Sequence, residues 1–173
     1  MEFDEILERR FTTRSFSDEE VSVNDLMEII KSANHTPVAY DMYNLFKLFI
    51  ITGRELRSGR ELVLDTPPYR DMTYGCTAFI SIGFCGPRTV IERAYESAGC
   101  IAYGLMLETI NHGLAAAIVD DTFDLYYNSK AVKRYWRFGD YIPILSVCIG
   151  HPKYARTTCS VHEIPYIYVT PFK

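Results

Sequence analysis

Apolar residues recur at helical spacing from the start of the chain. Phe3, Ile6, Leu7 and Arg10 fall at i, i+3, i+4 and i+7, which predicts a short amphipathic helix. A polar stretch follows from Thr12 to Glu20. Ser22, three residues before Asp25, then makes an acidic variant of a capping box. Leu26, Ile29, Ile30 and Ala33 continue at helical spacing, and this second helix should stop before Pro37. From Leu45 to Thr52 the β-branched and aromatic content predicts a strand. Residues 53–75 contain Gly53, Gly59, Pro67, Pro68 and Gly75, so a loop with one short helix is expected. Thr77 to Phe84 is the next strand, ended by Gly86-Pro87.

Residues 88–112 carry the longest helical pattern. Its first half holds Arg88, Glu92, Arg93 and Glu96, whereas Ala98 to Leu107 has no charge on any face. A helix that is apolar all round must be covered all round. A second subunit is the favoured cover, with the small residues Ser97, Ala98, Gly99, Cys100, Ala102 and Gly104 letting another helix approach; the other cover is the chain itself. Gly113-Leu114 caps the helix, and Ala115 to Val119 reads as a strand. Ser129 caps a further helix through Phe138, and Ile144 to Ile149 is the clearest buried strand. Residues 164–169 read as a late strand, confined to an edge by Pro165. About five strands interleave with helices, so the class is α+β or α/β with a mixed central sheet, in a single domain spanning 1–173.

Composition narrows the function more than the fold. At 173 residues the chain can bury roughly 70% of its unfolded surface, and 48% of its residues are apolar, so it needs no disulfides to hold a core. The five cysteines form no CxxC pair, which excludes a zinc knuckle and favours reduced thiols. A net charge of −4 argues against a broad nucleic-acid-binding face. The acidic start, Met1-Glu2-Phe3-Asp4-Glu5, lacks the order of a secretory leader. The longest uncharged stretch, Tyr74 to Pro87, is too short and too polar to span a bilayer. A cytoplasmic protein without membrane or nucleic-acid partners is the expectation.

Arginine outnumbers lysine by 12 to 6, a bias toward fixed forks that suit phosphate or carboxylate. The sharpest local feature is Arg10-Phe11-Thr12-Thr13-Arg14-Ser15-Phe16. In extended backbone Arg10, Thr12 and Arg14 share one face, and two guanidiniums with a hydroxyl suit a phosphate dianion. Taken alone, the segment reads as readily as a solvated charged surface. A second basic cluster, Lys153 and Arg156, follows the strand that ends at Gly150. Ser97-Ala98-Gly99 lacks the flanking glycines of a nucleophile elbow, and the four histidines show no metal spacing. Neither GxGxxG nor GxxxxGK[ST] is present, and no ionisable side chain earns a catalytic role from its spacing.

Taken in order, these pieces resemble one family. The segment from Arg10 to Phe16 resembles the RxSxR/K-x-F opening of the nitroreductase-like flavoproteins. The helix ending near Ala33 and Pro37 is similar to the one preceding their A-P-S-x-x-N-x-Q-P-W segment. Glu96 through Leu107 with Gly113-Leu114 resembles their long helix, and Ile142-Pro143-Ile144 to Gly150-His151-Pro152 resembles their P-x-x-x-x-x-IG-Y-P strand. The order and rough spacing hold over nearly the whole chain.

The resemblance implies an intertwined homodimer of nitroreductase-like fold with FMN at the subunit interface. It implies hydride transfer from NADH or NADPH, through flavin N5, to an electron-poor small-molecule acceptor. Arg10, Thr12 and Arg14 match the family's phosphate and ribityl contacts, and Arg156 its late phosphate contact. Aligning Pro37 with the family's Pro places Val38 at its Ser, Asp41 at its Asn, Tyr43 at its Gln and Leu45 at its Trp. An amide donates and accepts at the flavin's edge, whereas an ionised Asp41 only accepts. Tyr43 either stacks on the ring or fills the core. These departures leave open a second class, a non-catalytic dimeric binding protein on the same scaffold that holds another phosphate-bearing ligand.

Overall fold

The computed structural model describes residues 1–64, 71–120, 135–154 and 164–165. Its framework is an antiparallel sheet of four strands: β1 (Phe46–Thr52), β2 (Ala78–Phe84), β3 (Ala115–Val119) and β4 (Ile142–Gly150). They lie in the order β1-β2-β4-β3. Among the described residues, parallel pairing enters only as an isolated bridge between Thr12 and Ala116. The expected late strand at 164–169 and the helix from Ser129 fall mostly outside the described residues.

Burial explains why the central strands read as they do. Every residue of β2 is buried, so its sequence is apolar but for Ser81, and its side chains divide by parity between two cores. Ala78, Ile80, Ile82 and Phe84 join one core with β4's Ile144, Val147 and Ile149, while Phe79 joins the other with Ile51 and Cys148. At mid-sheet Ser81 lies opposite Ser146, and the Ser146 hydroxyl donates to Ser81 Oγ at 3.0 Å, both residues being fully buried. The pairing of β2 with β4 slips between Ile82 and Gly83, which is where Pro143 is tolerated inside an inner strand.

Helices α1 (Phe3–Arg9), α2 (Val23–Ser32), α3 (Gly53–Leu64) and α4 (Ile91–Asn111) complete the described fold. Ser22 caps α2 as expected, accepting from the Asp25 N–H at 3.1 Å and donating to Asp25 Oδ2 at 2.6 Å. The helical run ends in a single 3-10 turn, Ala33–His35, just ahead of Pro37. In α1 only Ile6 is buried, and Phe3 and Leu7 are exposed.

At 53–75, where a loop with one short helix was expected, α3 takes up the twelve residues Gly53–Leu64. Its glycines read as breakers in sequence, but each has a different task. Gly53, at φ +56°, turns the chain off β1, and Gly59 sits where any Cβ would strike the Trp136 indole. Leu56 is buried between them and supplies the helix's inward face.

α4 packs on β3, β4 and α2 through Ala94, Ala98, Ile101, Ala102, Leu105, Met106 and Ile110. Its opposite stripe stays open: Glu92, Glu96, Cys100 and Tyr103 are exposed. The chain's described residues therefore do not wrap this helix. Gly104 faces its own chain, since a Cβ there would lie 2.5 Å from Thr36 Cγ2, whereas Gly99 has nothing within 4 Å.

Candidate functional site

The basic segment 10–16 is held by backbone pairing at the end of the sheet where β3 begins and β4 ends. The Thr13 N–H donates to Ala116 O at 2.9 Å, the Ser17 N–H to His151 O at 2.9 Å, and the Lys153 N–H to Ser15 O at 3.1 Å. Phe16 bridges Pro152 and packs on Gly150, where a Cβ would approach Phe16 Cδ1 to 3.0 Å. Thr13 and Phe16 are buried, Phe11, Thr12 and Ser15 half-buried and Arg14 exposed, so burial along the segment does not alternate strictly: Phe16 turns inward although it shares the parity of Thr12 and Arg14. Arg10 is half-buried at the end of α1. Of the second basic cluster, Lys153 is bonded through its backbone to the segment that carries Arg10, Thr12 and Arg14, and its ammonium is 6.0 Å from the Tyr154 ring. Arg156 lies outside the described residues. The Thr13 hydroxyl, buried without a hydrogen-bond partner, had no signal in sequence beyond its place between Thr12 and Arg14.

Asp41 and Tyr43 belong to a different corner. Ala39–Asp41 and Tyr43–Leu45 are 3-10 turns leading into β1. The Ala39 N–H donates to Ser97 Oγ at 3.0 Å, and that hydroxyl donates to Arg93 O at 2.8 Å, which seats the turn on the first half of α4. Sequence reasoning weighed Ser97 as a small interface residue and as a nucleophile and missed this anchoring role. Tyr40 and Asp41 both adopt left-handed backbone, at φ +55° and +54°. Two such residues in succession cost energy, and a neighbouring structure must impose them. Asp41 is exposed, and Tyr40 is 77% exposed. Tyr43 does not fill the core: its ring is 46% exposed and its hydroxyl donates to Thr36 O at 3.1 Å.

One chain does not bring these two groups together. Ser97, which holds the Asp41 turn, and Asn111, which accepts from the Met1 ammonium at 3.0 Å beside α1, are separated along α4 by about 21 Å. The basic segment is at the β3 edge of the sheet, and the Asp41 turn enters β1 at the other edge. A cavity of about 810 Å³ lies apart from both, lined by Ile50, Ile51, Glu55, Leu62 and residues 135–137. Among the described residues no cluster of three or more His, Cys, Asp or Glu side chains forms a metal site. Among them, too, no helix is long and apolar enough to cross a membrane.

No protein-family model matches the chain, and no curated protein matches it by sequence. Solved structures do. A nitroreductase with bound FMN from Bacteroides fragilis superposes with a TM-score of 0.82 at 13% identity, covering 99% of this chain and 100% of its own. A nitroreductase with bound FMN from Desulfitobacterium hafniense gives 0.77 at 17% identity, covering 97% and 100%. A variant of an FMN and NADPH-dependent nitroreductase from Sphigopyxis sp. gives 0.72 at 17% identity, covering 88% and 89%. The agreement runs end to end in the first two, and it is the agreement that the ordered motifs of the sequence implied: this chain has the nitroreductase fold.

Proposed function

We propose that this protein is an FMN-dependent NAD(P)H oxidoreductase of nitroreductase type, working as a homodimer on an electron-poor acceptor such as a nitro compound or quinone. The observation that supports the reading is the backbone pairing of segment 10–16 with β3 and with residues 151–153, which carries Thr12, Arg14 and Lys153 on bonded stretches of chain at the end of the sheet where β4 finishes. Guanidiniums, an ammonium and a hydroxyl form a donor set that fits a phosphate dianion, and Arg156 follows closely in sequence. The flavin-bearing nitroreductases of like fold add support.

The ring end fits with one change. Since the Asp41 turn enters β1 at one edge of the sheet and the basic segment pairs at the β3 edge, a ligand that needs both takes them from two copies. The open stripe of α4 supplies the contact between copies, flanked by Tyr95 and Tyr103, a residue type enriched in interfaces. FMN, when bound, would supply two-electron redox chemistry between NADH or NADPH and the acceptor. The chain's own work is binding and orientation. Arg10, Arg14, Lys153 and Arg156 hold the phosphate, Thr12 adds a hydroxyl, and Asp41 accepts from a ring N–H. Tyr43, its hydroxyl already committed to Thr36, offers only its ring face.

The test is the absorption spectrum and affinity of the purified protein. FMN should bind at least tenfold more tightly than riboflavin, and Arg14→Ala should weaken FMN by about tenfold, the loss of one charge-assisted hydrogen bond. NADH or NADPH should bleach the bound flavin without oxygen. Gly99→Arg, at a position with empty space around it, should leave the fold intact and give a monomer in light scattering. Asp41 in place of an amide favours the second reading, a binding protein for another phosphate-bearing ligand. Failure of both the parent and Asp41→Asn to bind FMN would establish it over the enzyme.

A further inference from the structure

The turn that carries Asp41 does not set its own shape. Tyr40 and Asp41 stand in succession in left-handed backbone, at φ +55° and +54°. Glycine adopts that conformation freely, aspartate tolerates it and tyrosine disfavours it. Two long closures span the turn, from the Asp41 N–H to Val38 O and from the Met42 N–H to Ala39 O, each at 3.2 Å. Strain of this kind persists only where the surrounding structure over-determines it. Val38 is buried ahead of the turn, and Ser97 holds the turn itself. Ser97 is 2% exposed, and its hydroxyl accepts from the Ala39 N–H at 3.0 Å and donates to Arg93 O at 2.8 Å. One turn back in α4, Arg93 binds Glu96 at 2.8 Å and stands beside the Tyr40 hydroxyl. The arrangement leaves Asp41 exposed.

We infer that Ser97 is a positioning residue for the flavin ring: through the Ala39 N–H it fixes the left-handed turn, and the turn aims the Asp41 carboxylate at the ring N–H. The inference rests on the FMN reading above and adds to it a residue that itself touches no ligand. Oxidised isoalloxazine has a single ring N–H, at N3, and a carboxylate offers only acceptors, so the contact has one chemical form. A charge-assisted hydrogen bond of this kind is strong, and it weakens steeply once donor and acceptor leave line. A turn with two left-handed residues in a row has easier shapes to relax into, and these carry the carboxylate elsewhere. The Ser97 hydroxyl removes those alternatives. A serine that served stability alone would weaken every flavin alike. A positioning serine weakens only those that carry the N3 proton.

The experiment measures the affinities of FMN and of N3-methyl-FMN, by quenching of flavin fluorescence, for the parent, Ser97→Ala, Ser97→Thr and Asp41→Gly, the last a substitution that left-handed backbone accepts. The parent should prefer FMN by about tenfold or more, the worth of one charge-assisted hydrogen bond. Ser97→Ala should shrink that preference to about twofold or less, and Ser97→Thr, which keeps the hydroxyl, should restore most of it. In an Asp41→Gly background, Ser97→Ala should leave the ratio of the two affinities unchanged, because the carboxylate it positions is gone. The ratio in the parent is a readout that needs no variant to fold. A parent that binds both flavins equally, or a Ser97→Ala protein that keeps the parent's ratio, overturns the inference while FMN binding stands. A parent that binds no FMN overturns the FMN reading, and the inference with it.

Discussion

Replacing Gly59 by alanine sets two opposing effects against each other in α3. In an exposed helix interior, Gly→Ala gains about 1 kcal/mol from reduced backbone entropy in the unfolded chain. Here an ideal Cβ would stand 2.2 Å from Trp136 Nε1, 2.8 Å from Cε2 and 3.0 Å from Cζ2. The indole has little freedom to yield: it is 5% exposed, and its centroid lies 5.4 Å from Phe79 and 6.0 Å from Phe138. Overpacking of this kind costs typically 1–3 kcal/mol, and a contact this short belongs at the upper end. The expected net loss is about 1–2 kcal/mol, or about 2–8 °C in Tm for a chain of this length. Trp136 is the only tryptophan, so its fluorescence in urea reports directly on the perturbed contact. In a Trp136→Phe background, followed by circular dichroism, the smaller ring should remove most of the penalty. A neutral or stabilised Gly59→Ala in the parent would refute the argument and show that α3 moves freely against the sheet.

Three further outcomes follow from other contacts. Ser22 first, and His112 second, hold the Asp25 carboxyl below its ordinary range, so its contribution is complete above the unfolded value and fades as pH falls through the lower folded one; Asp25→Asn should flatten the acid limb of a stability–pH profile. Phe16→Ala empties the contact over Gly150 and should cost about 3 kcal/mol in denaturant unfolding, with faster exchange of the Ser17 and Lys153 amides. Burial pushes the Cys148 thiol well up, so a thiol reagent read by peptide mass should label Cys85 and Cys100 in the native protein and reach Cys76 and Cys148 only on unfolding. Labelling of Cys100 that slows as protein concentration rises would mark the α4 stripe as the face between copies.

Local chemistry was legible wherever it decided structure on its own. Ser22 with Asp25 and then Pro37 bounded α2, and the mostly apolar run from Ile144 to Ile149 marked the buried inner strand β4. A two-residue period was the ground for expecting Arg10, Thr12 and Arg14 on one face, and the segment that carries them pairs its backbone with β3 and with Lys153. What sequence hid depends on distant neighbours. Gly59 looks like a breaker until Trp136 is seen against it, and Gly104 looks like an interface residue until Thr36 fills its space. The gap between Asp41 and Arg14 was likewise invisible, because it depends on strand order and on the length of α4 rather than on either motif.

The Ser81–Ser146 pair has a consequence for how the sheet finds its alignment. Two hydroxyls that meet only when β2 and β4 are in native register act as a vernier mark inside an otherwise greasy surface. Sliding either strand by one residue would carry its serine to the opposite face and turn every neighbouring side chain with it. Each hydroxyl stranded without a partner would cost about 1–3 kcal/mol, a penalty no pair of alanines would impose. The hydroxyls thus discriminate against misaligned sheets, and replacing both by alanine should leave the native sheet nearly as stable while making mispaired folding intermediates longer-lived.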